Sequence, residues 1–364
     1  MTRQIRGCST AVIGGAGFLG SHLVNHLIED RSCGVLVVDN LVAGQRAFVH
    51  PGACFEHADI SHGEELLKRL FAHYKVKYVF NYAAWPYVPD SFARPKQVFE
   101  VNAIGAINVI NAVMDAGCEG VLQVSSAEVY GDGGELHRRK NSTPNGFEMV
   151  VDGKISESAP VSPHSTYGLA KAAADAYVQC AWKERGARAI ALRQFNCVGE
   201  RETHPYVITE IISQLWWQTG LVKQDGTVIP RAEVPTVHLG NNSLRDFIYA
   251  GDAVRLAVEL LERGKWGEVY NLGSESGIRI YALAKLVGKE MGFTDVLVEE
   301  EESRKRPWEI WHLQSDNTKL RKAIFDAVAT DTFGGGWMLE SLTEAIRRTI
   351  AWFKKNKCKW PWER

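Results

Sequence analysis

The chain has 364 residues, long enough for one large domain or two, with a core that needs no disulfide or metal staple. Its 42 lysines and arginines nearly balance 43 aspartates and glutamates, so no net positive field is available for nucleic acid or an anionic membrane, and an anionic ligand must be held by local charge. The seven cysteines form neither a C-x-x-C pair nor a close Cys/His cluster, which points to no metal and to a reduced, cytoplasmic interior. At the N-terminus, MTRQIRGCSTAVIGGAGFLG sets basic residues before an apolar run that glycines break too early for a signal peptide. No other segment approaches the roughly 20 apolar residues of a membrane span, so a soluble, unprocessed protein with no membrane partner is expected.

In chain order, short β-branched runs predict strands at 10–14, 34–39, 53–59, 77–83, 120–126 and 188–194. Amphipathic stretches between them predict helices at about 18–30, 62–74, 96–116 and 165–185, with Gly117 and Gly186 as stop signals. This alternation is the pattern of a parallel sheet covered by helices. The Gly/Ser/Asn-rich segment 132–160 reads as a long loop, either a lid or solvent-facing padding. Past 195 come a helix near 206–219, a polar stretch to about 243, RDFIYAGD leading into a helix at 253–263, smaller elements, and a helix over 341–356. The aromatic, basic tail KCKWPWER could seal an edge or a partner.

GGAGFLG, directly after the first strand, sets Gly14, Gly17 and Gly20 where a backbone can turn tightly against a pyrophosphate and present helix N–H groups to it. Asp39 closes the next strand, placed to accept hydrogen bonds from ribose hydroxyls and to repel a 2′-phosphate, which favours NAD over NADP. Tyr167 and Lys171 stand four apart in STYGLAKAAADAY, on one helix face, where an ammonium can favour the tyrosinate. Such a tyrosine can take the proton of an alcohol while hydride leaves the carbon. Taken alone, each pattern has a plain alternative: a structural glycine turn, a turn aspartate, an amphipathic helix with a surface lysine.

Nine ordered motifs resemble those of the extended short-chain dehydrogenase/reductases that act as nucleotide-sugar epimerases and dehydratases. They are GGAGFLG, Asp39-Asn40, ADI (58–60), NYAA (81–84), VNAIGAINVINA (101–112), VSSAEVYG (124–131), YGLAK (167–171), LRQFNCVG (192–199) and RDFIYAGD (245–252). The resemblance implies an α/β fold: a Rossmann doubly wound parallel sheet over residues 1–195 and a smaller C-terminal α/β substrate domain over 196–364, some of whose segments return to the first. It implies bound NAD, held by Gly14, Gly17, Phe18, Leu19 and Gly20, by Asp39 and Asn40, by Asp59 and Ile60 flanking the adenine, and by Ala83 and Ala84 lining its channel. Asn102 would hold the catalytic geometry. Ser126 would bind the reacting hydroxyl, with Tyr167 as base and Lys171 as its partner, and Asn196, Arg245 and Arg306 would meet the diphosphate of a nucleotide-diphosphate sugar. A homodimer built on the helices at 96–116 and 165–185 is implied as well. Asn81 and Gln194 depart from the family's usual residues. Apart from the resemblance, Asn196 reads as a loop cap, Arg245 with Asp246 as an ion pair, and Arg306 as part of a solvated charge run.

The reactions of such enzymes share a 4-keto sugar and diverge after it. Dehydratases and uronate decarboxylases follow the serine or threonine with a polar residue and then glutamate. Here Ala127 has no proton to give, which favours 4-epimerisation. Glu128 is a substrate-hydroxyl ligand, a base next to the ketone, or a strand-end carboxylate with no chemical role. If it is a base, the alternatives are decarboxylation, dehydration or 3/5-epimerisation. A catalytically silent NAD-binding protein is the alternative outside the enzymes, and the intact Ser126/Tyr167/Lys171 set argues against it.

Overall fold

The β-branched runs pair side by side into one seven-stranded parallel sheet in a computed structural model that describes residues 3–131, 138–143, 146–151, 153–222, 228–325 and 337–360. From one edge the strands are Val269–Leu272, Ala189–Gln194, Gly120–Ser126, Tyr78–Asn81, Ser9–Ile13, Gly34–Asp39 and Cys54–His57. The chain order reverses direction between Ser9–Ile13 and Tyr78–Asn81, which opens a crevice at the carboxyl ends of the strands, the usual ligand site of such sheets. The sheet is therefore the doubly wound α/β arrangement expected. Strand bounds shift by a residue or two from the sequence reading, and the seventh strand, Val269–Leu272, comes from far down the chain.

Alternate residues of each strand feed two cores. On one face Val12, Val37, Leu122 and Leu192 pack under Phe18–Glu29 and Ala250–Arg263, whose helix begins three residues earlier than expected. On the other, Ala11, Leu36, Val79 and Val121 pack under Glu64–His73, Gly105–Asp115 and Thr166–Arg185. A third core joins Val207–Trp216, Ile280–Glu290 and Leu342–Lys355. There Trp360 stacks on Phe353 at 4.5 Å and donates to the Ser213 hydroxyl at 2.6 Å, so this aromatic of the tail packs within the chain.

Two expectations change. Within the segment read as a loop, Arg138–Thr143 and Gly146–Val151 pair as an antiparallel hairpin, while residues 132–137, 144–145 and 152 lie outside the described residues. The helical run Pro95–Asp115 is, by length and composition, able to cross a membrane, contrary to the sequence reading. Its Val98, Ala106, Val109, Ile110 and Val113 are instead buried against protein. A π-helical turn, Glu100–Ile104, widens this run, a local irregularity that often marks a functional position.

Candidate active site

The glycine turn is shaped by backbone contact. Gly14 has φ +79°, and a Cβ there would sit 2.6 Å from the Ala83 amide nitrogen, so this turn and the end of the Tyr78–Asn81 strand touch main chain to main chain. Gly17 caps the helix Phe18–Glu29 with no side chain of its own and no acid follows in the first turn, which leaves the helix N–H groups to an external anion. Phe18 meets His22 edge-on at 5.8 Å, and Leu19 packs on the core. Asp39 braces the loop: its carboxylate accepts from Ala16 N at 3.0 Å and from Leu41 N at 2.8 Å. Burial pushes this carboxyl up, and the two amides pull it back.

Asn40 donates to Asp59 at 2.8 Å, so these two residues, far apart in sequence, share one rim. Partial burial works against the Asp59 carboxylate, yet Ser61 and Asn40 hold it below its ordinary range. Ile60 lies in the core against Gly105, and Ala83 and Ala84 are half-buried. Asn102, on the π-turn, clamps the Trp85 backbone, accepting from Trp85 N at 2.7 Å and donating to Trp85 O at 3.0 Å. Gln194 supplies a further group able to meet a ligand. Beside Ser126 in register, it donates to Leu272 O at 3.1 Å while its carbonyl oxygen, also buried, has no hydrogen-bond partner among the described residues. A glycine cradle, an uncapped helix start and an orphaned acceptor next to Ser126 fit a dinucleotide whose reactive end lies there.

The strand Gly120–Ser126 runs into a short 3-10 turn, Ala127–Tyr130, because the Ser126 hydroxyl accepts from Glu128 N at 3.2 Å and bends the chain. Opposite it, Ser165 caps the helix Thr166–Arg185 by accepting from Gly168 N at 3.1 Å. Tyr167 then falls in the first turn, close enough to Ser126 for that hydroxyl to favour its phenolate. Lys171, 3 % exposed, donates to Val124 O at 3.1 Å and lies 5.9 Å from the Tyr167 ring centre.

The expected lowering of the tyrosine is not what these side chains produce. Burial pushes the Tyr167 phenol up to about 12; the Ser126 hydrogen bond opposes this and the Glu128 charge adds to it. Burial likewise brings Lys171 down to about 8, with Asp175 working against the fall. Lys171 spends its nearest hydrogen bond on a backbone carbonyl, and its charge does not outweigh enclosure of the phenol.

The remaining candidates converge on the same place. Arg306 reaches Glu128 at 3.9 Å, and Arg245 pairs with Glu309 at 2.7 Å. Burial lowers Arg245, and the nearby carboxylates of Glu309 and Glu128 support its charge. Arg245 is thus not the partner of Asp246. That carboxylate accepts instead from Ser274, Glu275 and Ser315 and fixes three segments together. Asn196 donates to Asp246 O at 3.2 Å on the strand beside Arg245.

Several site residues escaped the sequence reading. Glu309 stands three residues after Arg306, a spacing that could have marked it. Glu202 is wholly buried; burial pushes it up to about 8, and the nearby Thr209 hydroxyl and Gly199 amide only temper the rise without bonding either oxygen well. Its neighbour Tyr206 feels Tyr167, Glu202 and Cys197, and burial drives its phenol upward. Tyr206, Tyr87 and His204 form an aromatic group, with Tyr87 on His204 at 5.8 Å. No sequence signal marks these, because their relation is spatial.

A family model described as the NAD dependent epimerase/dehydratase family matches residues 10–273. A UDP-glucose 4-epimerase of Lacticaseibacillus casei is 30% identical over 78% of this chain and 83% of its own. A dTDP-D-glucose 4,6-dehydratase of Mus musculus is 26% identical over 96% and 89%. The fold is similar to that of a Thermotoga maritima UDP-glucose 4-epimerase solved with UDP-glucose, at TM-score 0.76 and 26% identity over 96% of this chain and 99% of that one.

Proposed function

Because this chain belongs to the NAD dependent epimerase/dehydratase family, we propose that it is a nucleotide-sugar 4-epimerase. The observation that carries this reading is Ala127. It is buried, 3 % exposed, and puts a methyl group between Ser126 and Glu128, where dehydration would call for an acid. Bound NAD would supply the hydride acceptor and, in its oxidised form, a positive charge. Gly14, Gly17, Gly20 and Asp39 would hold it, with Gln194 open to a donor at its reactive end. Ser126 holds the sugar 4-hydroxyl, and Tyr167 takes its proton as C4 is oxidised. On the return, Tyr167 gives the proton back once the ketone has presented its other face. Asn196, Arg245 and Arg306 receive the diphosphate, which requires Arg245 to divide its charge between Glu309 and phosphate.

A second reading, Glu128-assisted decarboxylation, dehydration or 3/5-epimerisation, draws support from the closeness of Glu128 to Tyr167 and its ion pair with Arg306. Incubation with UDP-, GDP-, CDP-, ADP- and dTDP-sugars in D₂O, followed by NMR, separates the two. A 4-epimerase returns C4 inversion with no deuterium at C3 or C5. Deuterium at either carbon, or release of CO₂ or water, overturns it, and in that event Glu128→Gln abolishes the exchange. The same reading makes the protein a homodimer through Pro95–Asp115 and Thr166–Arg185, on which Ile104 and Leu169 are exposed; sedimentation at the monomer mass would refute that.

A further inference from the structure

The helix carrying Tyr167 and Lys171 bears a third polar side chain on the same face. Asp175 follows Lys171 by one turn and is 2 % exposed. Its Oδ2 accepts from Arg193 Nε at 2.7 Å, while its Oδ1 is buried with no partner in hydrogen-bond geometry among the described residues, the Ser125 hydroxyl helping to hold the charge. Arg193, 4 % exposed, also donates to the Tyr130 hydroxyl at 2.9 Å, and Tyr130 donates to Asn271 at 2.6 Å. Asn271 in turn donates to Ile155 O at 2.8 Å. Tyr130 closes the same short turn that begins at Ala127 and presents Glu128.

A buried ion pair is poor evidence of stability, because desolvation of both ions offsets their attraction. This one stands where charge matters to chemistry. Arg193 on Ala189–Gln194 and Ser125 on the strand Gly120–Ser126 act on Asp175. Tyr167 lies on the same helix as Lys171, with Ser126 and Glu128 acting on its phenol, and Tyr130 reaches Asp175 through Arg193. Outside the helix, Lys96 and Glu100 pair with each other near the surface at 3.7 Å. Among the described residues Lys171 has no carboxylate in hydrogen-bond contact, and Asp175 is the anion that opposes the effect of its burial.

We propose that Asp175 and Arg193 are positioning residues of the active site. Asp175 keeps Lys171 charged beside Tyr167, and Arg193 fixes Asp175 and, through Tyr130, the turn that holds Ser126 and Glu128 in place. Burial brings Lys171 down to about 8 even with Asp175 working against the fall, so removing the Asp175 charge lowers it further and makes the amine neutral at a lower pH. The inference rests on Tyr167 and Lys171 being the acid–base pair.

The test is an NMR titration of Lys171 in the NAD-loaded full chain with ¹³C-labelled lysine, the signal assigned through Lys171→Arg. Asp175→Asn should move the Lys171 midpoint down by about one pH unit or more, and Asp175→Glu should restore it. On whichever sugar nucleotide turns over, the alkaline limb of kcat should move the same way with KM unchanged. Asp175→Asn leaves a buried guanidinium unpaired, so the double variant Asp175→Asn/Arg193→Gln, with neither charge, is titrated alongside. An unmoved Lys171 midpoint in either variant, or a kcat loss equal at every pH, overturns the proposal. Full activity in Tyr167→Phe would instead refute the acid–base reading, and the titration would still decide what Asp175 does to Lys171.

Discussion

Tyr167→Phe loses about 10²- to 10⁴-fold in kcat on every sugar nucleotide that the protein converts, while its NAD content stays that of the parent. On the proposed mechanism the phenol is the acid–base group beside Ser126, and both residues are 9 % exposed. Phenylalanine keeps the ring and its packing, so the fold is retained and the loss belongs to chemistry. Steady-state turnover, with bound NAD measured after denaturing release, checks the result. Turnover within tenfold of the parent, with NAD retained, would mean that another group moves the proton. The pH profile of the parent carries further information. Burial pushes the phenol up to about 12 and brings Lys171 down to about 8, so as pH rises the amine loses its charge before the phenol loses its proton.

Gly20→Ala loses NAD and stability together. A Cβ at Gly20 would lie 2.1 Å from Gly14 O, 2.8 Å from Gly14 C and 2.9 Å from Gly15 Cα, all atoms of the turn that would meet the pyrophosphate. None is the end of a flexible side chain, so the turn itself must move. Gly14 cannot yield cheaply, since it is at φ +79° and its own Cβ position already meets Ala83 N at 2.6 Å. Overpacking of this kind costs about 1–3 kcal/mol, and the distorted turn no longer presents its amides. In thermal unfolding the parent's Tm rises with added NAD, as it must for a ligand that binds only the folded state, and the variant's does not. Gly17→Ala is the control: its Cβ would sit 3.2 Å from Gly14 O, close but not overlapping, so most of the NAD-dependent rise survives. An equal rise in Gly20→Ala would show that the turn does not hold the cofactor.

These two residues also show what a linear reading can see. Gly20 is legible because the steric demand at a strand–turn–helix junction is local: the strand before it, the helix after it and the spacing to Gly14 and Gly17 all lie within about ten residues. That Tyr167 and Lys171 share a helix face is legible for the same reason, one helical turn joining them, although only the family resemblance marks the pair as more than an amphipathic helix with a surface lysine. Asp175 lay in the same quoted stretch, yet nothing local distinguishes it from any acid on an amphipathic helix. Its partner Arg193 reaches it only because Ala189–Gln194 lies beside Gly120–Ser126 under that helix. Arg245 illustrates the reverse error. Its chain neighbour Asp246 looked like an ion-pair partner, but adjacent residues on a strand point to opposite faces, and Arg245 turns to Glu309 while Asp246 turns to Ser274 and Ser315.

The sequence by itself determined six of the seven strands of the sheet, the helices between them and the glycine turn, because each follows from hydrophobic period or backbone sterics within one element, whereas resemblance to a family, not spacing, singles out Ser126 with Tyr167 and Lys171. Only the tertiary structure decided which charges meet and which groups are driven from their ordinary pKa. It set Glu128 against Arg306, buried both Glu202 oxygens out of good hydrogen-bond geometry with any of the described residues and pushed Tyr167 up where a lowered phenol was expected. Burial and through-space pairing depend on residues brought together from distant parts of the chain, and no local pattern records them.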